Sequence, residues 1–213
     1  MTACAGAAPI PADARVTVVS LDRLDCYECG TQIVSDLRTS PGVYDAKFDK
    51  QRAEISVAAS PSFDVFSAVR KLSTREGSDA ILGAGKGHYL ESPAFPEGAD
   101  VKLVVMGGED VPDLGAVVVK GKVTVVDFTA VWCRSCREVD KHMAGVLGQR
   151  RDVAYRRLEI GDWDSPLAKR YLKDVPQLPY VVVYGATGTK VGEVSGVALS
   201  ELDAAIQRGA PTP

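Results

Sequence analysis

The chain has 213 residues, of which 46% are hydrophobic, and a formal net charge of −3. This length accommodates one large domain or two small ones with buried cores. The slightly acidic balance argues against nucleic acid as a partner, because phosphate-binding surfaces carry a basic excess. No apolar run approaches the ~20 residues that a membrane-crossing helix needs, so no membrane span is predicted.

The first 13 residues predict a flexible tail, since they are rich in alanine and proline and lack periodicity. Within them, Cys4 follows small residues and resembles the lipidated cysteine that ends a bacterial lipoprotein signal. That resemblance implies a lipid anchor at Cys4 and a periplasmic or membrane-anchored location. The charged and apolar parts of such a signal are missing. The alternative is an incidental thiol in a tail, with a cytoplasmic location if residue 1 is the true start.

Residues 14–90 predict the element order β-α-β-β-α-β, which is the ferredoxin-like arrangement. The expected elements are, in chain order, a strand from Val16, a helix through Ile33 and Leu37 that ends at Pro41, strands over 43–48 and 53–58, a helix from Ser62 and a strand over 80–89. A serine at position 60 or 62 is the expected N-cap of the second helix. Residues 91–99 contain two prolines and a glycine, a composition typical of a linker.

Residues 100–213 predict a second α/β domain with a mixed sheet. The expected strands cover 101–106, 123–129, 153–160, 180–184 and 191–194, and the expected helices cover 133–147, 166–172 and the stretch through Leu199, Leu202 and Ile206. Four arginines at 150, 151, 156 and 157 are interleaved with acids, which favours a solvated face.

Cysteine spacing is the strongest functional signal. The five cysteines are Cys4, Cys26, Cys29, Cys133 and Cys136, and the last four form two C-x-x-C pairs. This number is too low for a disulfide-stapled miniprotein. Paired thiols at this spacing indicate metal or redox chemistry.

The second pair favours redox chemistry, because Cys133 and Cys136 follow a buried strand and open a helix. A helix N-terminus stabilises a thiolate and lowers the pKa of a cysteine there from its free value of about 8.5. The thiolate of Cys133 can attack a disulfide, and Cys136, one turn later, can resolve the mixed disulfide. The alternative is half of a zinc site, which needs two further ligands.

Residues from about 97 to 210 resemble thioredoxins. The resemblance rests on a strand containing Asp127, followed by Trp132, Cys133 and Cys136, and on Pro179 before an apolar strand. It implies a thiol–disulfide oxidoreductase that acts on a protein disulfide or dithiol, without a cofactor, and exchanges electrons with an upstream donor or acceptor protein. It also implies that Asp127 carries the proton of Cys136 and that Pro179 is cis beside the disulfide. The alternative for Asp127 is a strand-end acid whose carboxylate is bonded to the backbone.

The dipeptide between these cysteines departs from the family, because Arg134 and Ser135 stand where thioredoxins usually have Gly-Pro. An arginine beside Cys133 favours its thiolate, and stabilising the reduced form makes a pair more oxidising. The hypothesis is a pair less reducing than a typical thioredoxin, whose potential is about −270 mV.

The first pair lies in the sequence Leu24-Asp25-Cys26-Tyr27-Glu28-Cys29, before a helix and Pro41-Gly42-Val43. Residues 14–90 resemble the heavy-metal-associated domain of copper chaperones and metal-pumping ATPases, although Leu24 stands where the family has methionine. The resemblance implies metal binding by Cys26 and Cys29. Two thiolates suit Cu(I), whereas Asp25 as an additional oxygen ligand suits Zn(II). The alternatives are a solvated Asp25 and a second redox pair.

Together these features predict a thioredoxin-type oxidoreductase coupled to a soft-metal-binding domain. The oxidoreductase domain would keep the thiols of the metal-binding domain, or those of a metal-trafficking partner, reduced. One alternative is a metal-binding chaperone whose second domain senses redox state. The other is a metal-free electron relay between the two pairs.

Overall fold

The structure is a computed structural model that describes residues 10–211. The chain divides into two compact units, Met1–Leu90 and Glu91–Pro213, each with its own sheet. Cys4 lies outside the described residues, so its predicted lipidation remains a prediction. No helix within residues 10–211 is long and apolar enough to cross a membrane.

The amino-terminal unit is a four-stranded sheet with two helices. Its elements are β1 (Arg15–Asp22), α1 (Tyr27–Arg38), β2 (Val43–Asp49), β3 (Glu54–Ala59), α2 (Val65–Arg75) and β4 (Asp79–Leu82). The strand order is β2-β3-β1-β4, and every neighbouring pair is antiparallel. The element order β-α-β-β-α-β is the one expected from the sequence.

The core of this unit lies between one face of the sheet and the buried faces of α1 and α2. Ile33 and Leu37 lie four residues apart on one side of that helix and are buried. In the sheet, Val19 lies opposite Ile55, and both side chains are fully buried. Each such burial stabilises the fold by about 1.5–3 kcal/mol, so these contacts hold α1 on the sheet.

Two element boundaries in this unit differ from the sequence-based expectation. α2 begins at Val65 rather than near Ser62, because the Asp64 carboxylate accepts the Ser67 backbone N–H at 3.0 Å and caps the helix. The last strand ends at Leu82 rather than continuing to Tyr89. Glycines at 83 and 85 adopt positive φ there, which turns the chain out of the strand.

The carboxy-terminal unit is a five-stranded mixed sheet with helices. Its strands are β5 (Asp100–Met106), β6 (Val123–Thr129), β7 (Val153–Glu159), β8 (Tyr180–Tyr184) and β9 (Lys190–Ser195). Its helices are α3 (Arg134–Gln149), α4 (Pro166–Tyr171) and α5 (Leu199–Arg208), with a short 3-10 helix over Leu114–Val117. The order is β5-β7-β6-β8-β9, with the first three strands parallel and the last two antiparallel to their neighbours. The predicted mixed α/β sheet is confirmed.

Strand β6 occupies the centre of this sheet, and all seven of its residues are buried. The chain leaves its carboxyl end and enters α3 within a few residues. That helix packs its apolar face, including Val139, Met143 and Leu147, into the same core as Val125 of β6. A buried strand followed directly by a packed helix holds the intervening loop firmly in place.

The arginine-rich stretch is not a wholly solvated face, so that prediction was wrong. Arg156 is only 8% exposed and pairs with Asp100 at 2.8 Å. Arg157 pairs with the fully buried Asp140 at 2.9 Å. Both arginines lie on β7, which is flanked by β5 and β6, and their acidic partners are distant in sequence. Local charge alternation cannot reveal such partners.

Candidate active site

The second cysteine pair lies at the N-terminus of α3 and forms a disulfide, with the two Cα atoms 5.4 Å apart. Cys133 is the N-cap residue, and its Sγ accepts the backbone N–H of Cys136 at 3.1 Å. The free N–H groups of a helix N-terminus favour negative charge at that sulfur. Cys133 is 6% exposed and Cys136 is 1% exposed, so Cys133 is the more accessible sulfur.

Trp132 fixes the loop that carries this disulfide. Its indole Nε1–H donates to the backbone carbonyl of Gly161 at 2.8 Å, and its ring is buried. Gly161 follows β7, so this hydrogen bond ties the end of one strand to the loop after its neighbour. A second tie in this loop is the hydrogen bond from the Cys133 N–H to the Ala130 carbonyl at 3.0 Å.

The proline segment adjoins the cysteines through Ser135. The Leu178–Pro179 peptide bond is cis. The Ser135 hydroxyl donates to the Leu178 carbonyl at 3.1 Å and lies 3.4 Å from the Cys133 sulfur. The Pro179 carbonyl in turn accepts the Gly196 N–H at 2.8 Å. These contacts bring the segment before β8 against the active-site turn.

Asp127 lies in β6 and is fully buried. Burial raises the pKa of its carboxyl to about 7, and the negative charge of Asp140 acts in the same direction. A hydrogen bond with Tyr155 and the positive charge of Arg157 oppose this rise. The Oδ1 atom of Asp127 is buried and has no hydrogen-bond partner among the described residues, so it has free lone pairs. This carboxyl can exchange a proton near neutral pH.

Tyr155 of β7 and Asp140 of α3 link Asp127 to the helix that carries Cys136. The Tyr155 hydroxyl lies 2.5 Å from an Asp127 oxygen and 2.9 Å from an Asp140 oxygen. Asp140 follows Cys136 by four residues on α3, and residues at that spacing are neighbours on one helix face. Tyr155 therefore links Asp127 to Asp140, which lies on the face of α3 that carries Cys136.

The first cysteine pair has the same local geometry in the amino-terminal unit. Cys26 is the N-cap of α1 and accepts the Cys29 N–H at 3.2 Å, and the two form a disulfide with Cα atoms 5.3 Å apart. Both cysteines are buried, at 7% and 8% exposure. Asp25 precedes the cap and is half-buried. Within residues 10–211, no group of three or more His, Cys, Asp or Glu side chains is arranged to hold a metal ion.

The chain is similar in sequence to thioredoxins. The chain is 28% identical over 85 residues to mouse thioredoxin, which covers 40% of this chain and 77% of that protein. It is 31% identical over 83 residues to a Brassica campestris H-type thioredoxin, covering 39% and 64% of the two chains. Among solved structures, Fasciola hepatica thioredoxin aligns with a TM-score of 0.35 at 27% identity, covering 42% and 83%. No family model matches the chain.

The carboxy-terminal unit is a thioredoxin-like domain. The thioredoxin relatives and the disulfide-forming C-x-x-C sequence identify the protein as a thiol–disulfide oxidoreductase.

Three residues around the thioredoxin-like site are not identifiable from the sequence alone. In the sequence, Ser135 stands out only because thioredoxins usually have proline there. Its contact with the Leu178 carbonyl joins residues 43 positions apart in the chain, so it depends on the fold. Tyr155 lies in a predicted strand and Asp140 in a predicted helix, and neither belongs to a sequence motif. A charged residue on the apolar side of α3, between Val139 and Met143, was the one signal available for Asp140.

Proposed function

We propose that Cys133 is the attacking thiol of the thioredoxin-like domain, that Cys136 is the resolving thiol and that Asp127 carries the proton of Cys136. The observation that carries this assignment is the disulfide at the start of α3, where the Cys133 sulfur caps the helix and is the more exposed of the two. Pro179, next to Leu178 and Ser135, then forms the platform for an extended substrate. Trp132 keeps the loop in position.

The reaction follows from these positions. The Cys133 thiolate attacks one sulfur of a substrate disulfide, and the other substrate sulfur leaves as a thiolate. Asp127 removes the proton from the Cys136 thiol, and the resulting thiolate attacks the Cys133 sulfur. The Cys133–Cys136 bond forms and the substrate leaves with both sulfurs reduced. The two electrons come from the protein dithiol, which an upstream protein donor must restore.

Trapping and kinetics test this assignment. In the full chain with Cys26 and Cys29 replaced by serine, Cys136→Ser is expected to accumulate a mixed disulfide at Cys133, detected by intact mass. Cys133→Ser is expected to abolish reduction of a disulfide substrate. Asp127→Asn is expected to slow it by ~10²-fold at neutral pH, because a general base contributes about that much. A mixed disulfide at Cys136 instead, in Cys133→Ser, would reverse the two cysteine roles.

Arg134 supports a more oxidising potential than that of a typical thioredoxin. It is exposed at the first position of α3, directly after Cys133. Its positive charge and the N-terminus of the helix both favour the Cys133 thiolate. Equilibration with glutathione is expected to give a potential above about −270 mV. A value at or below that would contradict the expectation.

For the amino-terminal unit we propose a ferredoxin-like, heavy-metal-associated domain that binds a soft metal through Cys26 and Cys29. The order β-α-β-β-α-β, the antiparallel sheet and the cysteine pair at the start of α1 support this proposal. The donor set fits Cu(I), which two thiolates can hold. It fits Zn(II) less well, because Zn(II) takes four ligands and Asp25 does not complete a group of three.

The two units then form one system for thiol maintenance. A metal ion binds only to reduced cysteines, and the disulfide between Cys26 and Cys29 excludes it. The thioredoxin-like domain would reduce that disulfide, or the equivalent one in a metal-trafficking partner. This need arises outside the cytoplasm, where thiols are oxidised. A periplasmic location with a lipid anchor at Cys4 fits this need for thiol reduction.

The second candidate function is an electron relay without metal. One observation favours it, because both pairs are disulfides in which the first sulfur caps a helix and accepts the N–H of the second cysteine. Titration of the reduced protein with Cu(I) and Zn(II) against a competing chelator separates the two functions. One tight Cu(I) equivalent lost in Cys26→Ser/Cys29→Ser, but retained in Cys133→Ser/Cys136→Ser, is expected for metal binding. No tight site in any form would establish the relay.

A further inference from the structure

Asp140 is a second buried acid beside the active site that the proposed mechanism does not use. It lies on α3, is fully buried and follows Cys136 by four residues. Its Oδ2 atom accepts the Ser92 hydroxyl at 2.5 Å and pairs with Arg157 Nη2 at 2.9 Å. Its Oδ1 atom lies 2.9 Å from the Tyr155 hydroxyl. Burying this carboxylate carries a desolvation cost, which its ion pair and hydrogen bonds offset.

The oxygen atoms of Asp127, Tyr155 and Asp140 share a limited number of hydrogens. The Tyr155 oxygen is 2.5 Å from Asp127 Oδ2 and 2.9 Å from Asp140 Oδ1. A phenol has a single hydrogen, so two hydrogen bonds among these three oxygens require a second hydrogen on one carboxyl. Asp140 is the ionised acid, because Arg157 and Ser92 both donate to it. When both hydrogen bonds form, Asp127 therefore carries the additional hydrogen: the protonated Asp127 donates to Tyr155, which donates to Asp140.

The surrounding charges agree with this arrangement. The ionisable groups that face Asp127 are Tyr155 and Arg157 from β7 and Asp140 from α3. Burial raises the pKa of Asp127 to about 7, and Asp140 contributes to the rise. Burial and the two carboxylates raise the pKa of Tyr155 well above its ordinary value, so the phenol keeps its hydrogen.

We propose that Asp140 is a positioning residue for Asp127: its negative charge, and its competition for the hydrogen of the Tyr155 hydroxyl, favour the protonated form of Asp127 and so set the pH range in which Asp127 accepts the Cys136 proton. The inference rests on the proposed role of Asp127. When Asp127 is ionised, the Tyr155 hydroxyl turns to donate to it. When the Cys136 thiol transfers its proton to Asp127, Tyr155 turns back to Asp140. One proton moves from sulfur to oxygen, and no electron is exchanged in this step.

Direct titration of Asp127 tests the proposal. The protein is labelled with ¹³C at aspartate carboxyls and kept oxidised, and the Asp127 resonance is identified by its loss in Asp127→Asn. Asp140→Asn is expected to lower the titration midpoint by about one pH unit, because a negative charge near Asp127 is removed. Tyr155→Phe is expected to raise it, because the ionised carboxylate loses its hydrogen-bond donor. Glu138→Gln, an exposed change on the same helix, is expected to leave it unchanged.

The two opposite shifts distinguish this role from a merely structural one. An Asp140→Asn midpoint equal to or above that of the wild type would overturn the proposal. If Asp140→Asn does not fold because Arg157 loses its partner, Tyr155→Phe decides: an unchanged or lowered midpoint would also overturn it. The midpoint is read without turnover, so it stays informative if Asp127→Asn reduces substrates as fast as the wild type. That kinetic result would refute only the proposed role of Asp127.

Discussion

Asp127 makes the stability of the oxidised thioredoxin-like domain depend on pH. Its carboxyl is fully buried, and burial raises its pKa from 3.8 to about 7. In the unfolded chain the same carboxyl ionises with its ordinary pKa. Between these two values the native state keeps a proton that the unfolded state has lost. The free energy of unfolding should therefore fall as the pH rises from about 4 to about 7.

The size of the effect follows from the shift. A difference of about three pKa units, at ~1.4 kcal/mol per unit, corresponds to about 4 kcal/mol. Asp127→Asn keeps the shape of the side chain but cannot ionise, so it removes this pH dependence. Relative to the wild type, the variant should gain up to about 4 kcal/mol of stability between pH 4 and pH 8.

Urea unfolding followed by tryptophan fluorescence measures this difference. The chain has two tryptophans, Trp132 and Trp163, and both lie in the thioredoxin-like domain, so the signal reports on that unit alone. The control is Glu138→Gln, whose stability should track the wild type at each pH. A gap between Asp127→Asn and the wild type that is equal at pH 4 and pH 8 would refute the argument.

Further predictions concern a hydroxyl and two glycines. Ser135→Ala is expected to slow alkylation of reduced Cys133 at neutral pH by up to about tenfold, because the Ser135 hydroxyl, 3.4 Å from the sulfur, can turn from the Leu178 carbonyl to the thiolate and the variant removes that donor; an unchanged rate would contradict this. Gly30→Ala is expected to destabilise the amino-terminal unit by about 1–3 kcal/mol in thermal unfolding followed by circular dichroism, because its Cβ would lie 2.3 Å from the Phe48 ring. Gly145→Ala is the matched control, since nothing lies within 4 Å of its Cβ on an exposed helix position, and it should stabilise by about 1 kcal/mol; equal effects would refute the steric argument.

The order of helices and strands was predictable because it depends on local patterns. The apolar spacing in α1 and the largely apolar, β-branched sequence of β6 each specify an element without reference to the rest of the chain. The first residue of a helix was less predictable where several neighbouring residues could serve as its N-cap. Ser60, Ser62 and Asp64 all suit an N-cap, and only the carboxylate of Asp64 receives the Ser67 N–H. Such a choice depends on the path of the preceding loop.

The residues around Cys133 and Cys136 likewise include some that local sequence patterns identify and others that only the fold brings together. Cys133, Cys136 and Asp127 were identifiable because a strand, a C-x-x-C spacing and a helix follow one another within ten residues. Ser135 meets Leu178 across 43 positions, and Tyr155 meets Asp127 across 28. No periodicity or spacing encodes those contacts.

By itself, therefore, the sequence determined where the reactive thiols lie and which of them begins a helix, because both depend on neighbours within one turn or one strand. Only the tertiary structure decided the proton arrangement. The pairing of β6 with β7 sets Tyr155 beside Asp127, and the packing of α3 brings Asp140 to the same hydroxyl. Two acids 13 positions apart share one tyrosine because the sheet and the helix meet there, in an interior where a lone charge is unfavourable.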